Sequence, residues 1–341
     1  MNTSKQHLVL AAVLTLSAAI GGTFAPVVPA YAASASTAVA ATVPMPDFYP
    51  YRVGNFEIVA LSDGTVPLDL HALMKDAPKG VVDKLLHRSF LTNPVESSIN
   101  GFLIDTGTRL ILVDTGAGDL FGPGAGGKLV ANLKAAGYDP ARIDDVLITH
   151  IHPDHSGGLV HDGQRVFPNA TVFVGKPDVD LFMDPAHQNG VDGYDKSYFH
   201  EAVLTLGPYA KAGKLKPFSG VTQILPGIEA IPTPGHTPGH SFYLVQSQGH
   251  SIEFVGDLVN SEAVQFPQPG ITTSFDFNQS RGGRATHQAV REPGRQARVD
   301  RCRAPAFSGP WTYPQGGGWL DIRAGGLPQP RGEVMRHTRL P

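Results

Sequence analysis

The stretch Thr149-His150-Ile151-His152-Pro153-Asp154-His155-Ser156-Gly157-Gly158 decides how the rest of the chain is read. Residues 145–149 form a short apolar run that reads as a buried strand ending at His150. His150 and His152 then stand at alternate positions of that strand end, so both imidazoles point to one side and can reach one metal ion. Pro153 turns the chain and brings Asp154 and His155 to a neighbouring position. Nitrogen and oxygen donors in this pattern suit Zn²⁺ or a similar divalent ion. Taken alone, the segment could be a His-rich surface turn. Two later segments favour the metal reading. PGHTPGH at 234–240 follows an expected strand and offers His236 to complete the first ion's ligands. FVGD at 254–257 ends another strand with Asp257, whose carboxylate can bridge two ions.

Working outward, β-rich runs at 56–62, 101–106, 109–115, 170–174, 228–231, 241–246 and 251–255 read as strands, and helical spacing marks 128–136, 179–183 and 198–206. Strands followed by helices, repeated in two halves, predict an α/β sandwich of two sheets with helices outside. The 341 residues suffice for one large domain or two small ones, and an apolar fraction of 41% can fill a real core. A net charge of −3 argues against a nucleic-acid partner, which demands a basic stripe. The single cysteine, Cys302, excludes both an intramolecular disulfide and a thiolate zinc cluster.

At the start, Lys5, an apolar run at 8–20 and the small residues of Ala30-Tyr31-Ala32 read as a secretory signal peptide over 1–32. A membrane anchor is the competing reading, but the run is short for spanning and is followed by Gly21-Gly22 and prolines. The expected product is exported, periplasmic or secreted, and free of the membrane after cleavage. Residues 33–46 read as a flexible mature N-terminus and 47–280 as the folded domain that carries the metal motif.

The His-x-His-x-Asp-His motif, the Gly-His-Thr-Pro-Gly-His that follows and the later Gly-Asp together resemble the metallo-β-lactamase superfamily over roughly residues 50–278. The resemblance implies an αβ/βα sandwich, two mixed sheets with helices on the outer faces. It also implies two divalent ions, Zn²⁺ by ligand type, held by His150, His152, His236, Asp154, His155 and the shared Asp257. Asp-His at the motif's end, with no Cys ligand, departs from the antibiotic-degrading zinc β-lactamases and points to the binuclear hydrolases. Within those, ALSDGT (60–65), LFGP (120–123), NLKAAGY (132–138) and AGKLKPFSG (212–220) resemble the methyl parathion hydrolase group.

That likeness implies a metal-bridging hydroxide acting on phosphotriester or ester substrates, with Asp154 handling the leaving group's proton. The alternative is a lactone hydrolase like the acyl-homoserine lactonases. The partner is then a small ester, lactone or phosphotriester, and a homodimer is compatible with the reading. Phe121, Phe182 and Phe199 fall where the group's pocket aromatics fall, although ordinary core residues would look the same. Asp114 and His240 are expected to orient ligand imidazoles. His161, His187, His200 and His250 show no partner pattern.

Near Ser280 the character changes. Residues 1–280 carry five arginines and eleven lysines, whereas 281–341 carry eleven arginines and no lysine. One reading is a disordered basic tail. The sharper one is a reading-frame slip. The resembling family needs one more His, after a late helix, to complete the second ion's ligands. Residues 303–317 (RAPAFSGPWTYPQGG), read one base later with ordinary codons, can give G-H-L-P-F-P-G-L-G-H-I-R-K-E-G, which resembles that loop, and 299–302 can give W-I-G-A before it. The third reading of function follows: a catalytically impaired relic with a weakened second ion and a disordered tail over 281–341.

Overall fold

The structure, a computed structural model, describes residues 47–191 and 194–283. The expected signal peptide, the 33–46 segment and the tail beyond 283 lie outside the described residues.

Seven strands follow one another across the larger sheet in chain order: β1 (Phe48–Val53), β2 (Phe56–Leu68), β3 (Val95–Asp105), β4 (Leu110–Val113), β5 (Asp145–Leu147), β6 (Thr171–Gly175) and β7 (Leu215–Phe218). The pairings β1–β2, β2–β3 and β3–β4 are antiparallel, and β4–β5, β5–β6 and β6–β7 are parallel. Every residue of β4 and β5 is buried, as expected of parallel strands covered on both faces. The smaller sheet is an antiparallel meander of β8 (Thr222–Leu225), β9 (Ile228–Pro232), β10 (Ser241–Ser247) and β11 (His250–Phe254).

The pleat sorts the core into two layers, because successive side chains leave a strand on opposite faces. Ile111, Val113 and Leu147 face the smaller sheet and meet Ile228, Ala230, Tyr243, Val245 and Ile252. Leu112, Val146 and Ile148 face the helices α2 (Leu129–Ala135), α4 (Lys176–Phe182) and α5 (Lys196–Lys211), meeting Leu129, Leu133, Phe182, Phe199 and Leu206. Among the other helices are α1 (Val81–Arg88), which periodicity did not single out, and single turns at Leu70–Leu73, α3 (Pro153–Ser156) and Glu262–Gln265.

Several elements outrun their expected bounds: β3, expected at 101–106, begins at Val95, and α4, expected at 179–183, begins at Lys176. The strand expected at 56–62 continues to Leu68, because Asp63-Gly64 is a β-bulge and not a strand end; the register with β3 shifts there. The bulge turns Asp63 inward, where its carboxylate accepts the backbone N–H groups of Ala117, Gly127 and Leu129 and pins the 116–129 loop. The helix expected at 198–206 begins earlier, at the Asp195 cap on Ser197 N–H, and runs through Gly207-Pro208 to Lys211. Among the described residues, no helix is long and apolar enough to cross a membrane.

Candidate metal centre

Four strand-end segments meet at one place: Asp114 after β4, Thr149–Ser156 after β5, Thr233–His240 between β9 and β10, and Gly256–Asn260 after β11. The second and third of these are clamped by Asp178 of α4. Ile151 N–H and the Thr237 hydroxyl donate to its Oδ2 at 2.9 and 2.8 Å, and Gly239 N–H donates to Oδ1 at 2.5 Å. This approach requires glycine at 239, where a Cβ would stand 2.5 Å from Asp178 N. Burial pushes the Asp178 carboxyl up to about 6, against the pull of these hydrogen bonds. Asp178 had no local signature in the sequence; its partners lie 27 to 61 residues away.

His150, His152 and His236 form the first cluster, all buried. His152 Nδ1 stands 3.1 Å from His150 Nε2 and 3.0 Å from His236 Nε2. Nitrogens bound tetrahedrally at about 2.0–2.1 Å would be about 3.3 Å apart, so the spacing fits one Zn²⁺-sized ion. The far nitrogens are also engaged. His236 Nδ1–H donates to Asp276 Oδ1 at 2.9 Å. Thr149 Oγ1 gives its proton to Asp114 Oδ2 at 2.8 Å, and so accepts from His150 Nδ1 at 3.1 Å. Partners on these nitrogens leave both Nε2 lone pairs free to face an ion.

The second cluster contains His150, His155 and Asp257. His155 Nε2 lies 3.1 Å from Asp257 Oδ1 and 3.5 Å from Asp154 Oδ2, while Asp257 Oδ2 lies 3.5 Å from His236 Nε2. Each oxygen of Asp257 thus faces a different cluster. Asn260 Nδ2 donates to Asp257 Oδ2 at 2.9 Å and helps fix that orientation. Asp114 accepts from His155 Nδ1 at 2.8 Å and from Thr149 N–H at 2.8 Å, with its own backbone at φ 55°.

Charge is distributed unevenly over this shell. Burial, then the neighbouring imidazoles, hold His150 well below the ordinary histidine range. Burial would also depress His155, but Asp154, Asp257 and Asp114 outweigh it and hold that imidazole well above its usual range. A donor set of buried imidazoles and carboxylates, with lone pairs converging on two points, fits a pair of divalent ions.

Other expectations need correction. His240 hydrogen-bonds no ligand imidazole. Its Nδ1 pairs with Thr233 Oγ1 at 2.9 Å, its Nε2 has no hydrogen-bond partner among the described residues, and its ring packs 5.2 Å from that of His150. Burial pushes it down to about 3, so it is a neutral packing neighbour. Phe182 and Phe199 are 0% exposed and belong to the helix-side core, so they back the site wall and present no surface to a substrate. Phe121 is 37% exposed on the pinned loop. The aromatics nearest the cluster are ones the sequence did not mark: Tyr194 and Tyr198, at 5.7 and 5.2 Å from the His152 ring, with Phe277 stacked on Tyr194 at 5.4 Å. His161 does have partners, Asp119 at 2.7 Å and Asp162 at 3.6 Å, on the exposed surface.

Residues 95–280 match the family described as the Metallo-beta-lactamase superfamily. Among solved structures, hydrolase AbOPH of the beta lactamase superfamily aligns with a TM-score of 0.68 at 33% identity, over 72% of this chain and 85% of that one. AidC, a dizinc quorum-quenching lactonase in complex with a product, aligns with a TM-score of 0.67 at 25% identity, over 76% and 90%. An N-acyl homoserine lactonase of Bacillus cereus is 27% identical over 121 residues, 36% of this chain and 40% of that protein. Ribonuclease TTHA0252 of Thermus thermophilus is 27% identical over 209 residues, 57% and 43%. The match therefore spans about two fifths of the length of these curated relatives.

Proposed function

This chain belongs to the metallo-β-lactamase superfamily, and from that premise we propose that it is an exported hydrolase of small neutral phosphotriesters or carboxylic esters that works with two divalent ions, Zn²⁺ by ligand type. The observation that carries the proposal is the pair of buried donor clusters that share His150 and meet at Asp257. His150, His152 and His236 would hold one ion, Asp154 and His155 the other, and Asp257 both. Bound there, the ions would supply Lewis acidity, polarising a carbonyl or phosphoryl oxygen and making water a stronger nucleophile near neutral pH.

The chain's own residues do the rest. Asp114, Asp276 and Thr149 hold the imidazoles with their lone pairs turned inward. Asp178 keeps the two ligand loops in register. Asp154, beside His155, is the group placed to carry a proton to the departing alkoxide. Tyr198 and the half-exposed Phe277 offer an aromatic wall on the His152 side for an aryl or acyl group.

Lactone opening is the second reading, supported by the likeness to AidC and to the Bacillus lactonases. The test is metal content per chain, measured beside turnover of an aryl phosphotriester, an aryl ester and a long-chain acyl-homoserine lactone. Bound Zn²⁺ with phosphotriester or aryl-ester turnover, both lost in His152→Ala, is the expected result. Faster turnover of the lactone moves the assignment to the second reading. Unchanged metal and rate in His152→Ala overturns the site.

A further inference from the structure

Tyr194 carries a hydroxyl in a place where its single proton has one destination. The residue is 7% exposed, and its oxygen lies 3.3 Å from His152 Nε2 and 3.2 Å from the backbone carbonyl oxygen of His236. A carbonyl only accepts, so the phenol proton goes to His236 O. The phenol oxygen is then left as an acceptor toward His152. That arrangement is satisfied only when His152 Nε2 carries the hydrogen. Its Nδ1, the atom 3.1 and 3.0 Å from His150 Nε2 and His236 Nε2, then keeps its lone pair. With an ion in the cluster, the other tautomer would aim an N–H at that ion and leave two lone pairs facing each other at Nε2, a poor pairing in a buried place.

We infer that Tyr194 is a positioning residue of the first metal site, fixing the His152 tautomer through its hydroxyl oxygen and the His236 segment through its hydroxyl proton. The inference rests on the metal reading of that cluster. The hydroxyl is held in place by its ring. Tyr194 stacks on Phe277 at 5.4 Å and 7°, and meets Phe182 edge-on at 5.1 Å. The Phe277 N–H donates to the same His236 carbonyl at 3.0 Å, Asn278 N–H donates to Gly235 O at 2.9 Å, and Asp276 holds the His236 ring. Segment 276–278 and Tyr194 thus grip one ligand between them, and Tyr194 alone reaches across to a second. No sequence spacing announces this, since Tyr194 lies 42 residues from both partners.

The experiment uses the full chain labelled with ¹⁵N at histidine. In the Zn²⁺-loaded native protein, the imidazole spectrum should show His152 bound through Nδ1 and protonated at Nε2. Binding through Nε2 overturns the inference without any variant. Tyr194→Phe keeps the ring and its stacking and removes the oxygen. Its metal-free unfolding midpoint should stay near that of the native chain. Its Zn²⁺ affinity at the first position, read by chelator competition, should fall 10–100-fold, the usual effect of losing a partner behind a ligand. The absorption spectrum of the Co²⁺-loaded variant should also shift. Native affinity and an unchanged Co²⁺ spectrum in Tyr194→Phe overturn the inference. Should the native chain take up no Zn²⁺ at all, the metal reading fails and takes the inference with it, a result distinct from unaltered Zn²⁺ binding in Tyr194→Phe.

Discussion

Asp178 shows how a single residue is tuned by where its partners lie. Its carboxylate accepts from Ile151, Thr237 and Gly239, which favours the anion, yet full burial raises its pKa to about 6 from an ordinary 3.8. The folded chain then keeps a proton that the unfolded chain has already released. Between about pH 4 and pH 6 the native state binds more protons than the unfolded state, so its stability falls as pH rises through that window and levels off above it. Asp178→Asn lacks this titration. The native protein should therefore lose stability relative to Asp178→Asn from pH 4 to pH 6, with a constant difference above, in urea midpoints of the two metal-free chains. A flat difference, or one sloping the other way, would mean that the hydrogen bonds outweigh burial. At this scale the sequence was legible where donors crowd together in it. His150, His152, Asp154 and His155 lie within one turn and its strand, and Asp114 follows an apolar run. Asp178, Tyr194 and Asp276 were not legible, because each is a lone polar residue whose partners sit 27 to 61 residues away.

At the scale of elements, the close approach of α4 to the loop between β9 and β10 is set by glycine on both sides. A Cβ at Gly175 would stand 2.1 Å from the carbonyl oxygen of Gly239, so backbone meets backbone and one segment must move. Gly175→Ala should cost about 1–3 kcal/mol of stability or more and should weaken Zn²⁺ binding with it, because the displaced loop carries His236. Gly207→Ala is the control. Apart from its chain neighbours its nearest atom is Val203 Cγ1 at 4.0 Å within α5, so Zn²⁺ binding should be unchanged, although alanine directly before Pro208 gains no helix stability. The aromatic residues divide in the same way. Phe199→Ala should cost about 3–5 kcal/mol as a core deletion. Phe121→Ala, on the partly exposed loop held by Asp63, should leave stability nearly intact and shift the ratio of phosphotriester to lactone turnover. Unfolding curves and paired kcat/KM values decide both; the reverse pattern would return Phe199 to the pocket and Phe121 to the core. Strand and helix types were readable from period-2 and helical spacing. The lengths of β2 and α5 were not, because Asp63-Gly64 and Gly207-Pro208 read as stops, whereas tertiary pairing carries the chain through them.

For the whole molecule, the decisive quantity is how many ions it holds firmly. The first position has three imidazoles around it, each with a hydrogen-bond partner on its far nitrogen. At the second, the described residues offer the shared His150, His155, Asp257 and, close by, Asp154. The family match ends at residue 280, where the basic residues switch from lysine to arginine and the family-like segments cease. We propose that the frame slips beyond that point and hides a ligand loop starting at codon 303. On that reading the chain as it stands binds one Zn²⁺ tightly and a second loosely, with the second affinity lowered by more than the 10–100-fold typical of losing a mere supporting partner. A two-ion clamp on the reacting oxygen is then compromised, and esterase turnover falls with it. Resequencing codons 270–310, and comparing the given chain with a frame-restored one after gel filtration into metal-free buffer, tests this directly. The expected content is one Zn²⁺ per given chain and two per restored chain, with slower turnover in the given chain than in the restored form. Two retained ions and equal turnover in the given chain would show that the residues already present suffice, and the slip would be discarded.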